Sequence, residues 1–187
     1  MIETETRIEV EQTPNPNAEK FILPKDVISG GRKKTFDALQ LADGVPLAQA
    51  LFGVASVVQI HFFQNVISVT QNGSRDWDEL ERDVKQVLQA NFDAHDPNIT
   101  DPSPGPKVYA SPEIEAIDKV LDRTIRPGLQ GDGGDLEILD YDKERKCLLV
   151  RYQGACGSCP SSTAGTLMAI QQILKDEYDP EMMVING

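Results

Sequence analysis

DAHDPNITDPSPGPKVYA, Asp93 to Ala110, is the stretch on which the reading of the fold turns. Four prolines (Pro97, Pro102, Pro104, Pro106) and Gly105 fall within it, and the apolar periodicity on either side stops. Proline fixes φ and removes a backbone donor, so this segment predicts an extended, semi-rigid spacer over 93–110 rather than a helix or a central strand. The 187 residues divide into a first unit over 1–92 and a second over 111–187, each the size of one small domain. Residues 1–106 hold 16 acidic against 9 basic side chains and residues 107–187 hold 14 against 9, so the net charge of −12 is shared and not confined to a tail.

With 40% hydrophobic residues and both charge signs mixed, the chain can bury a core. Its acidity argues against nucleic-acid binding, which needs a basic face to displace counterions, and against docking on anionic membranes. No apolar run approaches the roughly 18–20 residues that span a bilayer. Met1-Ile2-Glu3-Thr4-Glu5-Thr6 resembles neither a signal peptide nor an Arg-rich transit peptide, so a soluble, cytoplasmic-type chain of bacterial kind is expected.

Upstream of the spacer, Arg7 to Glu11 alternates as a half-buried strand, and Thr13-Pro14-Asn15-Pro16-Asn17 turns. Lys20 to Leu23 is a second strand and Val45 to Phe52 a short helix. The segments 54–63 and 66–69 read as a hairpin about Asn65. Trp77 to Phe92 puts Trp77, Leu80, Val84, Val87 and Leu88 on one helical face. Arg32-Lys33-Lys34 reads as a solvated basic turn, and His61 and His95 as structural or solvated.

Downstream, Ser111-Pro112-Glu113 starts a helix with Ile114, Ile117, Leu121 and Ile125 inward, and Pro127-Gly128 disrupts it. Segments 135–139 and 147–152 pair across a charged turn at Asp142 to Lys146. Ser161 to Tyr178 is helical, and Met182 to Ile185 is a short closing strand. The expected class is α/β (α+β): two small domains, each a short sheet packed against two helices, joined by the Pro-rich linker.

The chemistry sits in Gly154-Ala155-Cys156-Gly157-Ser158-Cys159-Pro160-Ser161-Ser162. The spacing lets two sulfurs converge on one centre, and Pro160 suits a first helical turn, whose positive end favours thiolates. Three cysteines in a chain without a secretion signal do not describe a disulfide framework. Four readings compete: an inert pair, a zinc site, a thiol–disulfide oxidoreductase, and an iron–sulfur cluster. Structural zinc normally takes four protein ligands, and neither His61 nor His95 lies in the same unit. A thioredoxin-type domain needs a larger sheet. Iron–sulfur clusters take four cysteine ligands, and the pair Cys156 and Cys159 supplies two, so two chains would share one cluster across a symmetric dimer. Cys147, on a strand beside Leu148 and Val150, is expected to pack as a small hydrophobe.

Leu129-Gln130-Gly131-Asp132-Gly133-Gly134-Asp135, followed by the cysteine loop, resembles the NifU C-terminal domain of Nfu-type iron–sulfur carriers. The Arg126-Pro127 helix end is similar too. Gln12 to Phe21 (QTPNPNAEKF) and the helix starting at Trp77 resemble the Nfu N-terminal domain. The resemblance implies a non-enzymatic carrier that holds a [4Fe–4S] cluster through Cys156 and Cys159 of two subunits. It also implies that an upstream assembly scaffold loads the cluster and that apo iron–sulfur proteins receive it. Four thiolates by themselves accept a [2Fe–2S] centre equally well. The Gly131–Asp135 run reads as a tight turn into the next strand, packed near the cysteine loop.

Overall fold

The structure, a computed structural model, describes residues 6–99, 110–157 and 160–187, with the backbone alone for 160–163. It forms two compact units, residues 1–100 and 101–187. Among the described residues no helix is long and apolar enough to cross a membrane.

The first unit is a five-stranded antiparallel sheet with strands β1 (Glu9–Gln12), β2 (Ala18–Ile22), β3 (Lys33–Phe36), β4 (Val57–Phe63) and β5 (Val66–Gln71) in the order β1-β2-β5-β4-β3. Helices α1 (Pro46–Phe52) and α2 (Trp77–Asn91) belong to this unit. Phe21, Phe36, Ile60, Phe62, Ile67 and Val69 from the sheet meet Leu47, Leu51, Leu80, Val84 and Leu88 from the helices in one core. The turn after β1 is built by its polar side chains: Thr13 Oγ1 donates to the Ala18 carbonyl at 2.8 Å and Asn15 Oδ1 accepts from Asn17 N at 3.0 Å. Trp77 Nε1 donates to the Pro16 carbonyl at 2.9 Å, tying the start of α2 to that turn.

Residues 95–99, which the sequence assigns to the spacer, pack on the first unit. Ser29 N donates to the Pro97 carbonyl at 2.9 Å, Arg32 Nη1 to the Ile99 carbonyl at 3.0 Å, and Ile99 joins the core. The remaining spacer, 100–109, lies outside the described residues. The basic turn expected at Arg32-Lys33-Lys34 is corrected here, because Lys33 and Lys34 open β3, paired with Phe63 and Phe62 of β4. Strand pairing overrides the charge of these residues at an edge, where lysine is favoured.

The second unit holds helices α3 (Pro112–Thr124), α4 (Arg126–Gly131) and α5 (Pro160–Glu177) against strands β6 (Gly134–Asp142), β7 (Cys147–Gly154) and β8 (Met183–Asn186). β6 and β7 are antiparallel, and α5 returns the chain so that β8 pairs parallel to β7. Ser111 caps α3 by accepting from Ile114 N at 3.2 Å, with Pro112 in the first turn. α3 ends at Thr124, just before Pro127-Gly128 as expected, and the chain then starts a further short helix, α4, with Pro127 in its first turn, a position that needs no amide hydrogen. This unit therefore has three helices, not two. Ile117, Leu121, Leu136, Leu148, Val150, Ile170 and Leu174 form its core.

Candidate functional site

β6 and β7 end together, with Gly134 opposite Gly154. Both strand ends are glycine for reasons the geometry makes plain. Gly154 has φ of 62°, a left-handed conformation that turns the chain out of β7 into the cysteine loop. Gly134 leaves room for that loop: a Cβ placed there would lie 2.5 Å from Cys156 Sγ and 2.8 Å from Cys156 Cβ. Ala155 N donates to the Gly133 carbonyl at 3.1 Å and Gly157 N to the Gly154 carbonyl at 3.0 Å, closing the loop over the strand ends. The Gly131–Asp135 run and the cysteine loop are thus two walls of one site, as the sequence reading placed them. Cys156 is half-buried and packs against the core of the second unit.

Tyr152, two residues before Gly154, is 7% exposed, and its hydroxyl pKa is pushed up to about 12, first by burial and then by negative charge on Cys156. Electrostatically the two side chains share one environment. Cys159 lies outside the described residues, so the structure brings Cys156 to the site and describes nothing of its partner. The next described residue, Pro160, opens α5, whose positive end favours thiolate charge in the loop before it.

Cys147 stands elsewhere. It opens β7, and the seven residue steps to Gly154 carry the chain roughly 23 Å away. The expectation that it packs in the core is corrected: alternation along β7 turns Leu148, Val150 and Tyr152 inward and leaves Cys147 half-buried on the other face. Among the described residues no three His, Cys, Asp or Glu side chains converge as a metal-ligating group. His61 is 2% exposed and bonded to Thr35 Oγ1 at 2.9 Å, and His95 meets the Val27 carbonyl at 2.7 Å; both are structural.

One residue past Gly134 begins a charged cluster that sequence reasoning missed, with Arg126, Asp118 and Asp135 buried and Asp122 at its half-exposed edge. Arg126 reaches Asp118 at 2.5 Å and also Asp122, while its Nε lies 3.4 Å from Asp135 Oδ1. Burial works against the Arg126 charge, but Asp118 and Asp122 outweigh it and hold its pKa above the ordinary arginine value. A signal was present: Asp118, Asp122 and Arg126 recur every four residues beside the apolar stripe Ile117, Leu121, Ile125.

Comparison with known proteins follows this division. Residues 117–185 match the NifU-like domain, and residues 8–95 match the N-terminal domain described as scaffold protein Nfu/NifU N terminal. A human protein named NFU1 iron-sulfur cluster scaffold homolog, mitochondrial, is 34% identical over 179 residues, covering 94% of this chain and 69% of that one. The chain belongs to the Nfu/NifU family. Another relative, NifU-like protein 5, mitochondrial, from Arabidopsis thaliana, is 31% identical over 173 residues, covering 89% of this chain. This chain spans about 62% of that relative's length. A solution structure of a NifU-like protein from Saccharomyces cerevisiae overlays 52% of this chain and 87% of its own with a TM-score of 0.46 at 16% identity. Within the Nfu/NifU frame, Cys156 and Cys159 both fall inside the NifU-like match, and the first unit contains no cysteine.

Proposed function

We propose that this chain is a non-enzymatic iron–sulfur cluster scaffold and carrier. In this reading Cys156 and Cys159 of two subunits hold one [4Fe–4S] cluster as cargo, and the dimer passes it to apo iron–sulfur proteins after loading by an upstream assembly scaffold. The observation that carries the reading is the seat of Cys156. A half-buried thiol rests on a glycine wall at the mouth of a hairpin, and the sequence supplies a second cysteine three residues later, directly before Pro160. Two thiols per chain fall two short of a cluster's four ligands, which is why a second subunit is part of the proposal. A site completed by a partner opens when the partners separate, and that suits temporary custody. Membership of the Nfu/NifU family supports the reading, as do relatives named for cluster scaffolding. A reducing, cytoplasm-like compartment belongs to the proposal, since the ligands must be free thiolates.

Anaerobic reconstitution with ferrous iron and sulfide tests it. The expected result is a broad visible absorption with about four irons per dimer and a dimer that forms on loading. Two irons per dimer would replace the [4Fe–4S] assignment by [2Fe–2S]. A colourless protein holding zinc, or one that reduces insulin disulfides with turnover, would overturn the carrier reading in favour of a zinc site or an oxidoreductase.

A further inference from the structure

The buried cluster around Arg126 holds Asp135 and Leu136, the two residues of β6 that follow the glycine against which Cys156 rests. Arg126 is 5% exposed, Asp118 3% and Asp135 0%. From α4, the Arg126 fork reaches Asp118 at 2.5 Å and the Leu136 carbonyl at 3.2 Å from Nη2, with Nε 3.4 Å from Asp135 Oδ1. Asp135 accepts from Leu136 N at 2.6 Å through Oδ1 and from Gln130 Nε2 at 3.0 Å through Oδ2. The two residues immediately after Gly134 are therefore held by two side chains of α4, Gln130 and Arg126, and Asp118 of α3 braces the guanidinium.

Burying a guanidinium with carboxylates is a poor way to gain stability, because apolar side chains of similar volume serve as well or better. What such a network supplies is a fixed geometry. Here the fixed point is one peptide away from Gly134, whose missing side chain leaves the Cys156 sulfur its place. Removing an outer group that orients a ligand typically lowers metal affinity by about 10–100-fold. The geometry points to Arg126 and Asp135 as positioning residues of the cluster site: acting through Gly134, they set where the Cys156 sulfur stands and how long the chain keeps its cargo. The inference rests on the reading of Cys156 as a ligand.

The test uses the full chain in two states. Without cluster, iodoacetamide labelling followed by peptide mass spectrometry gives the rate at Cys156 relative to Cys147, which lies at the far end of β7 and serves as an internal reference. Arg126→Lys keeps the charge and loses the fork. Asp135→Asn keeps an acceptor for Leu136 N and loses the charge. Both are expected to raise the Cys156/Cys147 ratio several-fold with far-ultraviolet circular dichroism unchanged. Gly134→Ala, which presses on the sulfur directly, is expected to shift the ratio as well. In the loaded state the same variants are expected to shorten the chromophore lifetime under a chelator by about tenfold, the usual size of outer-group effects.

If Arg126→Lys or Asp135→Asn fails to fold, Gln130→Ala removes one hydrogen bond to Asp135 and carries the same measurement. Variants that melt lower yet keep the wild-type ratio and lifetime would reduce the cluster to a structural ion pair and overturn the inference. A wild-type chain that takes up no iron and sulfide would instead overturn the carrier reading, and the thiol ratio would still decide the positioning.

Discussion

Cys147 opens β7 and Cys156 lies in the loop just past its other end, and their environments set opposite expectations for the same substitution. Cys156→Ser, and equally Cys159→Ser, should abolish cluster uptake, read as loss of the visible absorption after reconstitution. Cys147→Ser should leave that spectrum intact; its loss would make Cys147 a ligand despite the roughly 23 Å of strand between it and Gly154, where the cysteine loop begins. At this scale the sequence was legible where chemistry depends on residue type. Two thiols at C-x-x-C spacing and a glycine run next to them can be read directly. The Arg126 network could not be read as a unit, because Asp135 joins Asp118 and Arg126 only once β6 is laid against α3 and α4. Equally invisible was the face of β7 that Cys147 takes, since the strand's start decides which parity points inward.

Elements were legible where apolar periodicity marked them and illegible where local chemistry reads both ways. α2 carries its stripe openly, and Leu80, Val84 and Leu88 are each 0% exposed. Leu88→Ala should lower unfolding free energy by about 2–5 kcal/mol, measured by denaturant titration. α3 shows its cap in the sequence, and Ser111→Ala should cost about 1 kcal/mol in the same measurement. β3 escaped notice because Lys33-Lys34-Thr35-Phe36 offers one large apolar residue, and its pairing with β4 is a tertiary fact. α4 escaped because Pro127-Gly128 spells a breaker in isolation and a helix start only when α3 ends just before it. Where β2 meets α2, Glu19 is 4% exposed, and its pKa is raised from 4.5 to about 7 by burial first and by the Glu81 carboxylate second, with Lys85 opposing. A carboxyl raised in this way stabilises the fold while protonated. Its contribution is full below about 4.5 and is lost as the pH rises through about 7. Glu19→Gln stays neutral, so its melting temperature should gain on the wild type as pH rises through that window. A difference that stays flat with pH would contradict the assignment.

At the scale of the whole molecule, two separate cores imply two separate unfolding events. Chains comprising residues 1–100 and 101–187 should each fold alone, and their melting curves should sum to that of the full protein. A single transition in the full protein, absent from either piece, would show the cores to be coupled. The break between units was legible in the prolines, but its near edge was not. Arg32 and Ser29 hold the Pro97–Ile99 backbone to the first unit, and such carbonyl contacts leave no trace in composition. One consequence follows from the anchoring of the indole of Trp77 to the Pro16 carbonyl. Trp77 is the sole tryptophan of the sequence, so it is an optical antenna built into the cysteine-free unit. Iron–sulfur chromophores absorb where indole emits. Quenching of that emission as the second unit is loaded would therefore read the distance between emitter and cargo in solution, without any added dye.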